Sequence, residues 1–487
     1  MALKVASRPL SVISEEHVEV IHQASLRILE EVGVEVLHDG ALDLLARAGA
    51  EVDRARKRAR LPRQLVLDAL ERAPSSFTLH ARNPVRDVQV GGDSVVLIPV
   101  GGPSMVEDLE GGRRVGTFAD QVNFIKLSQR SRLLDMAYRC VEAQDLPPAT
   151  RHLDYLSALL RYTDKPLATM TLDATSARDS LAITSLVFGD EEYIRTHPVI
   201  LGGVNIDSPL RFLPDTVETI IAFAGSGQPL KITPFVMAGV MSPATLAGAL
   251  AQENAESLAC IVLAETINPG TPVVYGSFAS HADMRTVAPV FGSAEGVLME
   301  VAAGQLAKRY KLPHRGMGLV TTSHTSDAQA AWEKMNCLWS LTLSNVHMLL
   351  QAAGWLEGGL TASYEQFILD LDMLESMESF LAGFPIDEDS LALDIIAKVG
   401  PGGNFLLTDH TLSHFRMTAR FSPLLDSRRY DTWQGDNAST LLTRASAIWK
   451  KMLGEYVEPP LDPGLAEALG EFVARRKGGE PLNRLVR

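Results

Sequence analysis

Histidine side chains are the first candidates for chemistry here, because they bind metals and transfer protons near neutral pH. His281, His324 and His347 lie in or just after segments with the apolar pattern of strands, and such residues could converge on zinc. No His-Glu-x-x-His and no paired-cysteine motif is present, so we expect no metal site. Cys140 lies within an apolar segment, which is typical of a buried thiol rather than a nucleophile.

A pocket for an organic cation is a second possibility. Cations bind against aromatic faces, and a nearby carboxylate adds electrostatic attraction. Glu142, Tyr275, Trp332 and Trp355 occur at or near the ends of predicted strands, although aromatic residues make up only 6% of the chain. A single tryptophan also commonly belongs to a core or an interface, so this pattern leaves both interpretations open.

The elements that must position these residues form one repeating pattern from about Thr117 to residue 360. Short, almost wholly apolar segments alternate with longer helical ones, which is typical of a parallel sheet covered on both faces. The predicted strands are 134–142, 166–172, 198–206, 230–239, 272–280, 314–320 and 345–355.

These seven strands favour an α/β fold, a (β/α)8 TIM-type barrel, over a doubly wound open sheet. The eighth strand is ambiguous and lies near the start or in the C-terminal region. Residues 1–120 predict N-terminal helices followed by a small antiparallel sheet with turns at Gly91-Gly92 and Gly111-Gly112. Residues 121–400 form the predicted barrel domain, and residues 401–487 a C-terminal helical cap.

A barrel places chemistry at the C-terminal ends of its strands and in the loops that follow. Glu142, Asn205 and His324 occupy such positions. Arg315 and His347 lie early in or within their strands, so their side chains could instead point into the barrel.

The charge balance excludes several classes of partner. The chain has 487 residues, with 45 Lys+Arg against 59 Asp+Glu and a net charge of −14. Nucleic-acid binding and docking to acidic membrane surfaces both need basic patches, so we expect neither. No apolar run reaches the ~18 residues of a membrane span, and the first residues lack a signal-peptide core. We therefore expect a cytoplasmic protein.

Five sequence blocks carry a family resemblance. They are GGPSMVEDLEGGRRVGTFAD (101–120), NIDSPLRF (205–212), SPATLAGALAQENAESLACIVLAETINPGTPVVYG (242–276), SDAQAAWEK (326–334) and GPGGNFLLTDHTLSHFR (400–416). Together, and in this order, they resemble the trimethylamine methyltransferase family. The resemblance implies a barrel enzyme that moves a methyl group from a methylamine to the cobalt of a corrinoid protein.

One departure from that family bears on the substrate. Trimethylamine methyltransferases carry pyrrolysine in the loop where this chain reads TTSHTSDAQ, and His324 or a neighbour occupies that place. Members without pyrrolysine resemble glycine betaine–corrinoid methyltransferases. A quaternary ammonium leaves as a neutral amine and needs no covalent activation, so the resemblance implies a quaternary amine as the methyl donor.

The resemblance also implies roles for individual residues. Glu142 and Asn205 are candidate substrate contacts, with Glu142 near the ammonium, while Arg315 and His347 could hold a betaine carboxylate. Arginine suits that task because its planar fork pairs with a carboxylate, although an ion pair inside the barrel is an equal alternative.

Three further residues complete this candidate site. Trp332 and Trp355 are candidates for the cation cage, and His324 is the candidate catalytic residue. Leu97 and Ile98 stand where the family often has tyrosine, which leaves the exact cage undefined.

The cofactor is expected to come from another protein. The chain has no Asp-x-His-x-x-Gly motif for a cobalamin ligand, so we expect a separate corrinoid protein and no corrinoid bound tightly here. We also expect a homo-oligomer. Two alternatives stay open: a quaternary-amine sensor without transfer activity, and a zinc-dependent barrel enzyme.

Overall fold

The computed structural model describes residues 3–4, 9–169, 173–418 and 420–482. Its helices α1 to α18 are, in chain order, Glu15–Arg27, Asp39–Arg47, Arg63–Arg72, Phe118–Arg130, Arg151–Tyr162, Ala174–Phe188, Glu191–Thr196, Pro214–Gly225, Leu246–Ile267, Ala294–Tyr310, Ala328–Thr342, Tyr364–Ala382, Glu388–Leu391, Leu393–Val399, Asp409–Thr418, Tyr430–Gly435, Leu441–Gly454 and Pro463–Lys477. Its strands β1 to β20 are Leu3–Lys4, Val34–Val36, Glu51–Asp53, Arg58–Arg60, Ser76–Leu79, Val88–Gly91, Ser94–Leu97, Met105–Asp108, Gly112–Val115, Leu167–Ala168, Ile200–Ile206, Arg211–Phe212, Leu230–Ala238, Val273–Gly276, Phe278–Asp283, Ala288–Val290, His314–Gly316, Met348–Leu349, Trp355–Leu356 and Thr361–Ser363.

A parallel sheet forms the centre of the α/β fold. Strands β10, β11, β13, β14, β17, β18 and β7 lie side by side in this order, each parallel to its neighbour. Helices α8, α9 and α10 cover the outer side of the sheet. Helix α9 is apolar around most of its circumference and almost entirely buried, as expected for a helix enclosed by other elements.

The predicted strands agree with this sheet unevenly. Segments 198–206 and 230–239 are observed as β11 and β13. Of segment 166–172, Leu167–Ala168 forms β10, and residues 170–172 lie outside the described residues. The prediction of a continuous strand over 134–142 is wrong, since the described backbone makes only a single bridge, from Ala137 to Leu167. The backbone beyond that bridge bonds to the 102–103 loop instead: Gly102 donates to Arg139, and Glu142 donates to Pro103.

Strand β7 has a role that the sequence did not indicate. Its antiparallel hairpin with β6 agrees with the predicted turn at Gly91-Gly92. On its other side, however, β7 is parallel to β18, and the Asp135 backbone N donates to Leu97 O at 2.9 Å. A strand assigned to the N-terminal sheet is thus also part of the central sheet, because its parallel partner lies about 250 residues away along the chain.

Residues on β11 show which way the side chains point. A Cβ added at Gly202 would meet the ring of Phe223 on α8, whereas one at Gly203 would approach Lys231 of β13. Because side chains alternate along a strand, Gly203 and Asn205 share the inner face of the sheet. The same face carries Leu201, which belongs to a different apolar cluster from the outward-facing Ile200.

The C-terminal region is helical but unevenly packed. Helix α17 packs against α12, and α18 packs against α5 and α6. By contrast, within the described residues 382–416 no residue is buried. No helix among the described residues has the length and apolar character that a bilayer crossing requires.

Candidate active site

Four aromatic side chains pack together, one each from strands β13, β15 and β19 and one from the residue that follows β16. This aromatic cluster consists of Phe235, Phe278, Phe291 and Trp355. Phe278 lies at the centre, with its ring centroid 5.7 Å from Phe235, 5.1 Å from Phe291 and 6.0 Å from Trp355. Phe291 and Trp355 are almost fully buried, while Phe235 and Phe278 are half-buried. The cluster therefore presents a partly open aromatic surface at the strand ends, where ligands bind in parallel α/β sheets.

The side chain of Arg315 lies directly next to this cluster. Its guanidinium carbon is 4.9 Å from the centre of the Phe278 ring, and Nη1 donates to Ser277 O at 2.7 Å. The residue is only 2% exposed, and burial lowers the pKa of its guanidinium to about 10. Arg315 thus remains charged at neutral pH, with an acidic residue of the core, Glu300, favouring that charge.

Several buried polar atoms on the inner side of the sheet lack a hydrogen-bond partner among the described residues. They are Tyr138 Oη, Thr233 Oγ1, Ser280 Oγ and Arg315 Nε. Buried donors of this kind are rarely left unpaired, because each costs about 1–3 kcal/mol. The buried Lys231 Nζ lies 5.5 Å from the Tyr138 ring centre, and burial, together with the charges of Arg315 and Arg139, lowers its pKa well below the ordinary value. An interior that holds the Arg315 guanidinium and unpaired donors next to an aromatic surface fits a ligand with an anionic end and an apolar or cationic end.

Two buried carboxyl groups support the strand that holds Arg315. Ser277 Oγ lies 2.9 Å from an oxygen of Glu253 and 2.9 Å from an oxygen of Glu300. Glu300 also accepts from the backbone N of Ala279 and of Met317, each at 3.0 Å. Burial, together with the charge of Glu300, raises the pKa of Glu253 well above its ordinary value. Both effects favour the protonated form of Glu253.

Glu300 predicts a pH dependence of stability. Burial raises its pKa to about 7 from an ordinary 4.5, so the folded chain holds a proton that the unfolded chain releases between these values. Raising the pH through this interval should thus lower the free energy of unfolding, with no further loss above about pH 7. In urea titrations from pH 5 to 8, Glu300→Gln should show a shallower decline than the wild type. A stability difference between the two proteins that is constant over this range would contradict the assignment.

Glu142, the candidate partner for the ammonium, is engaged by two arginines. Arg139 Nη1 lies 2.7 Å from one of its carboxylate oxygens, and Arg151 contacts the other. Its side chain is 12% exposed. With both oxygens already neutralised, this carboxylate offers little net attraction to a further cation.

Asn205 is exposed on the inner face near the end of β11, and its register partner on β13 is Thr233. His347 lies at the opposite edge, where strands begin. Its Nδ1 accepts from the His314 backbone N at 3.1 Å, and burial lowers its pKa despite a hydrogen bond with the Gly92 backbone. Of these two residues, the structure therefore places Asn205, and not His347, on the same side of the sheet as Arg315.

His324 and the two tryptophans lie in different surroundings. The His324 side chain is 84% exposed, with Nδ1 3.9 Å from a carboxylate oxygen of Glu357, two residues beyond Trp355. Trp355 belongs to the aromatic cluster and donates its Nε1–H to Thr321 O at 3.2 Å. Trp332 is 74% exposed on α11 and outside the cluster. Tyr275 points the other way, toward α9, where its hydroxyl donates to Asn254.

Histidines that could share a metal are found elsewhere. His281 is near Ser293, with the two side chains 3.3 Å apart, rather than near another candidate ligand. In the described part of the chain, ligand atoms of Asp389, His410 and His414 lie within 4.8 Å of one another, in the exposed C-terminal segment. The cysteines are buried, as predicted for Cys140, and burial raises the pKa of its thiol to about 12.

Sequence reasoning missed most of the aromatic cluster. Phe235 and Phe278 both stood in predicted strand segments, Phe235 in the middle of 230–239 and Phe278 near the end of 272–280, which the structure divides into β14 and β15. The search for a cage considered tyrosine and tryptophan instead, and Phe291 lies in a loop without a pattern of its own. The available signal was the position of the two phenylalanines within their strands.

The fold is thus an α/β fold with a parallel central sheet, and next to that sheet a partly open aromatic surface adjoins a buried arginine. Residues 2–481 match the family model described as trimethylamine methyltransferase, and the chain belongs to that family. It is a methyltransferase. The glycine betaine methyltransferase of Desulfitobacterium hafniense (strain Y51) is 38% identical, over 96% of this chain and 97% of that protein.

Two further likenesses extend this result. The L-carnitine:corrinoid methyltransferase of Eubacterium limosum is 31% identical over 70% of this chain and 72% of that protein. The crystal structure of the Methanosarcina barkeri monomethylamine methyltransferase matches with a TM-score of 0.50 and 11% identity, over 91% of this chain and 93% of that one. At this identity the structural match supports the fold alone.

Proposed function

We propose that this chain transfers a methyl group from a betaine, a quaternary amine with a carboxylate, to the Co(I) of a corrinoid carried by a separate protein. The observation that carries the proposal is the position of the buried Arg315 guanidinium, 4.9 Å from the Phe278 ring at the centre of the aromatic cluster. A betaine offers a carboxylate for the arginine and a trimethylammonium group for the aromatic faces. Relatives named for glycine betaine and L-carnitine support the same substrate class.

The chain's own contribution is placement. Arg315 would hold the carboxylate, with its unpaired Nε–H as a second donor. The aromatic cluster would hold the ammonium, leaving one methyl group toward the open side of the strand ends. Fixing a methyl carbon in line with an external nucleophile can supply several kcal/mol of the activation barrier, because orientation is settled before the reaction.

The corrinoid supplies the nucleophile, a cobalt(I) centre. His324, exposed beside Glu357, would face a corrinoid protein that docks there. Because the amine leaves neutral, no proton has to reach it, and we assign His324 to the rim rather than to proton transfer.

We further propose that the parallel sheet closes as an eight-stranded barrel. Segment 135–140 would occupy the gap between β7 and β10, supported by its hydrogen bond to Leu97 and its bridge to Leu167. Residues 1–120 would then form an N-terminal region whose strand β7 is also a strand of the barrel. The barrel domain would comprise residues 121–400, and a C-terminal region residues 401–487. We also propose a cytoplasmic homo-oligomer.

The decisive experiment is a methyl-transfer assay. Purified protein is mixed with a reduced corrinoid protein or free cob(I)alamin, and loss of Co(I) absorbance is followed with glycine betaine, proline betaine, carnitine, choline and trimethylamine. We expect transfer from at least one betaine and none from trimethylamine. Absence of transfer from every quaternary amine would overturn the proposal, and binding without transfer would favour a sensor.

Trp355 tests the cation-binding role of the aromatic cluster. Trp355→Leu should weaken betaine binding by roughly 5- to 30-fold, since a cation–aromatic contact contributes about 1–2 kcal/mol when desolvated. Trp355→Phe should retain most of the affinity. Titration calorimetry with glycine betaine and with 3,3-dimethylbutyrate, in which an uncharged carbon replaces the ammonium nitrogen, separates the charge of that group from its shape. Equal losses for both compounds would show that Trp355 acts only through packing.

A further inference from the structure

The C-terminal segment 383–416, named here the apolar arm, leaves the body of the protein between helices α12 and α17. Ten of its large apolar side chains are exposed, with exposed fractions from 42% to 85%. They are Phe384, Ile386, Leu391, Leu393, Ile396, Phe405, Leu406, Leu407, Leu412 and Phe415.

Both ends of the apolar arm are anchored to the body. At its start, the Phe380 ring packs edge-on against Trp339 of α11, with the centroids 4.5 Å apart. After it, Arg420 pairs with Asp372 and Glu375 of α12, and Leu424 is buried. The arm is thus a segment that leaves and returns, rather than a free chain end.

The arm itself has no core. Within the described residues 382–416 none is buried, yet the segment contains α13, α14 and most of α15. Ordering a residue costs about 1–2 kcal/mol of conformational entropy, which is offset in proteins mainly by apolar burial. A helical segment with its apolar side chains in water therefore lacks the burial that would stabilise it, and a partner surface has to provide it.

We infer that the apolar arm is the self-association surface of this protein, and that its occupant is a second copy of the same chain. Ten apolar side chains that each expose on the order of 100 Å² give roughly 1,000 Å² per chain. A standard stable interface buries about 800 Å² per partner, and permanent homodimers have the more apolar interfaces. A carrier that must dissociate after each transfer would instead be expected to dock on a smaller, more polar surface.

The position of the arm also argues against the corrinoid carrier as occupant. Asp370 on α12 accepts from the backbone N of Gly354, next to Trp355 of the aromatic cluster. From Asp370 the helix continues to Ala382, a run of about 18 Å at 1.5 Å per residue. The arm begins beyond that point, at the end of α12 that is remote from the candidate active site, whereas a carrier has to bind where it can reach the methyl group. The inference deepens the proposed self-association and does not depend on the proposed methyl transfer.

Sedimentation velocity on the full chain tests the inference. The wild type should sediment as a multiple of 52.8 kDa at micromolar concentration. The triple variant Phe384→Ser, Ile386→Ser, Leu407→Ser should associate on the order of a thousandfold more weakly, because each substitution removes a large apolar contact from both copies. A matched control, Val20→Ser, Val85→Ser, Val457→Ser, alters equally exposed apolar residues outside the arm and should leave the mass unchanged.

Hydrogen exchange on the wild type provides a measurement that needs no variant. Amides of residues 383–416 should be protected at high protein concentration and should exchange at least about tenfold faster on dilution to the monomer. A monomeric wild type, unprotected arm amides, or an arm variant that keeps its mass but loses only corrinoid-protein binding would each overturn the inference. Neither measurement involves a substrate, so a failed methyl-transfer assay leaves this result unaffected.

Discussion

Replacing Arg315 with methionine is expected to weaken glycine betaine binding by on the order of a hundredfold, since removing one member of a buried charge pair costs about 2–5 kcal/mol. The guanidinium is buried, touches the central ring of the aromatic cluster and has an unpaired Nε–H. Methionine fills a similar volume without charge. Choline has the same trimethylammonium group but no carboxylate, so its binding should change much less.

Calorimetric titration of both compounds, together with KM and kcat, checks this expectation. Arg420→Gln is a suitable control, because Arg420 is also partly buried and ion-paired but lies in the C-terminal region, between Asp372 and Glu375. Its betaine affinity should equal that of the wild type. If Arg315→Met weakened choline and betaine alike, Arg315 would be a structural ion of the core rather than the carboxylate site.

Replacing Asp370 with alanine is expected to lower the free energy of unfolding by about 3–5 kcal/mol, which is typical when one partner of a buried ion pair is removed. Lys334 Nζ and Asp370 Oδ2 are 2.9 Å apart, and both side chains are completely buried. The carboxylate also accepts from the Gly354 backbone N at 2.7 Å and from Gln366 at 2.8 Å. The substitution would leave the Lys334 ammonium, the Gly354 backbone N–H and the Gln366 amide without their carboxylate acceptor.

Urea unfolding at pH 7 measures this loss. The double variant Lys334→Met, Asp370→Leu should recover most of it, because no buried charge is then left unpaired. Glu31→Ala, which removes an exposed pair with Arg27, provides the contrast and should change stability by less than about 0.5 kcal/mol. A similar, small effect of Asp370→Ala would mean that the pair is hydrated in solution.

The central strands could be predicted from the sequence where they are long and apolar on both faces. Strands β11 and β13 were placed almost residue by residue, because continuous apolar runs of this kind form only when both faces of a sheet are covered. Segment 134–142 has the same composition, yet its backbone bonds mainly to the 102–103 loop. Apolar composition reports burial, which this segment has, but not the hydrogen-bond partner.

For the candidate site too, the sequence indicated some residues but not the contacts that surround them. Arg315 was predicted as a candidate through a family resemblance, and Trp355 from its position near a strand end, and the structure brings the two residues to one aromatic cluster. Glu142 has the right residue type, but two arginines from neighbouring segments occupy both of its oxygens. Such neighbours come from separate elements, so no local pattern indicates them.

The sequence by itself determined the alternation of apolar strands and helices and the family, because each depends on composition or on contiguous motifs. Only the tertiary structure decided that β7 joins the parallel sheet, that Phe235 and Phe278 meet Phe291 and Trp355, and that the apolar arm is uncovered. These features depend on contacts between residues far apart in the chain. Their energies arise from burial and charge in three dimensions, which the order of residues does not display.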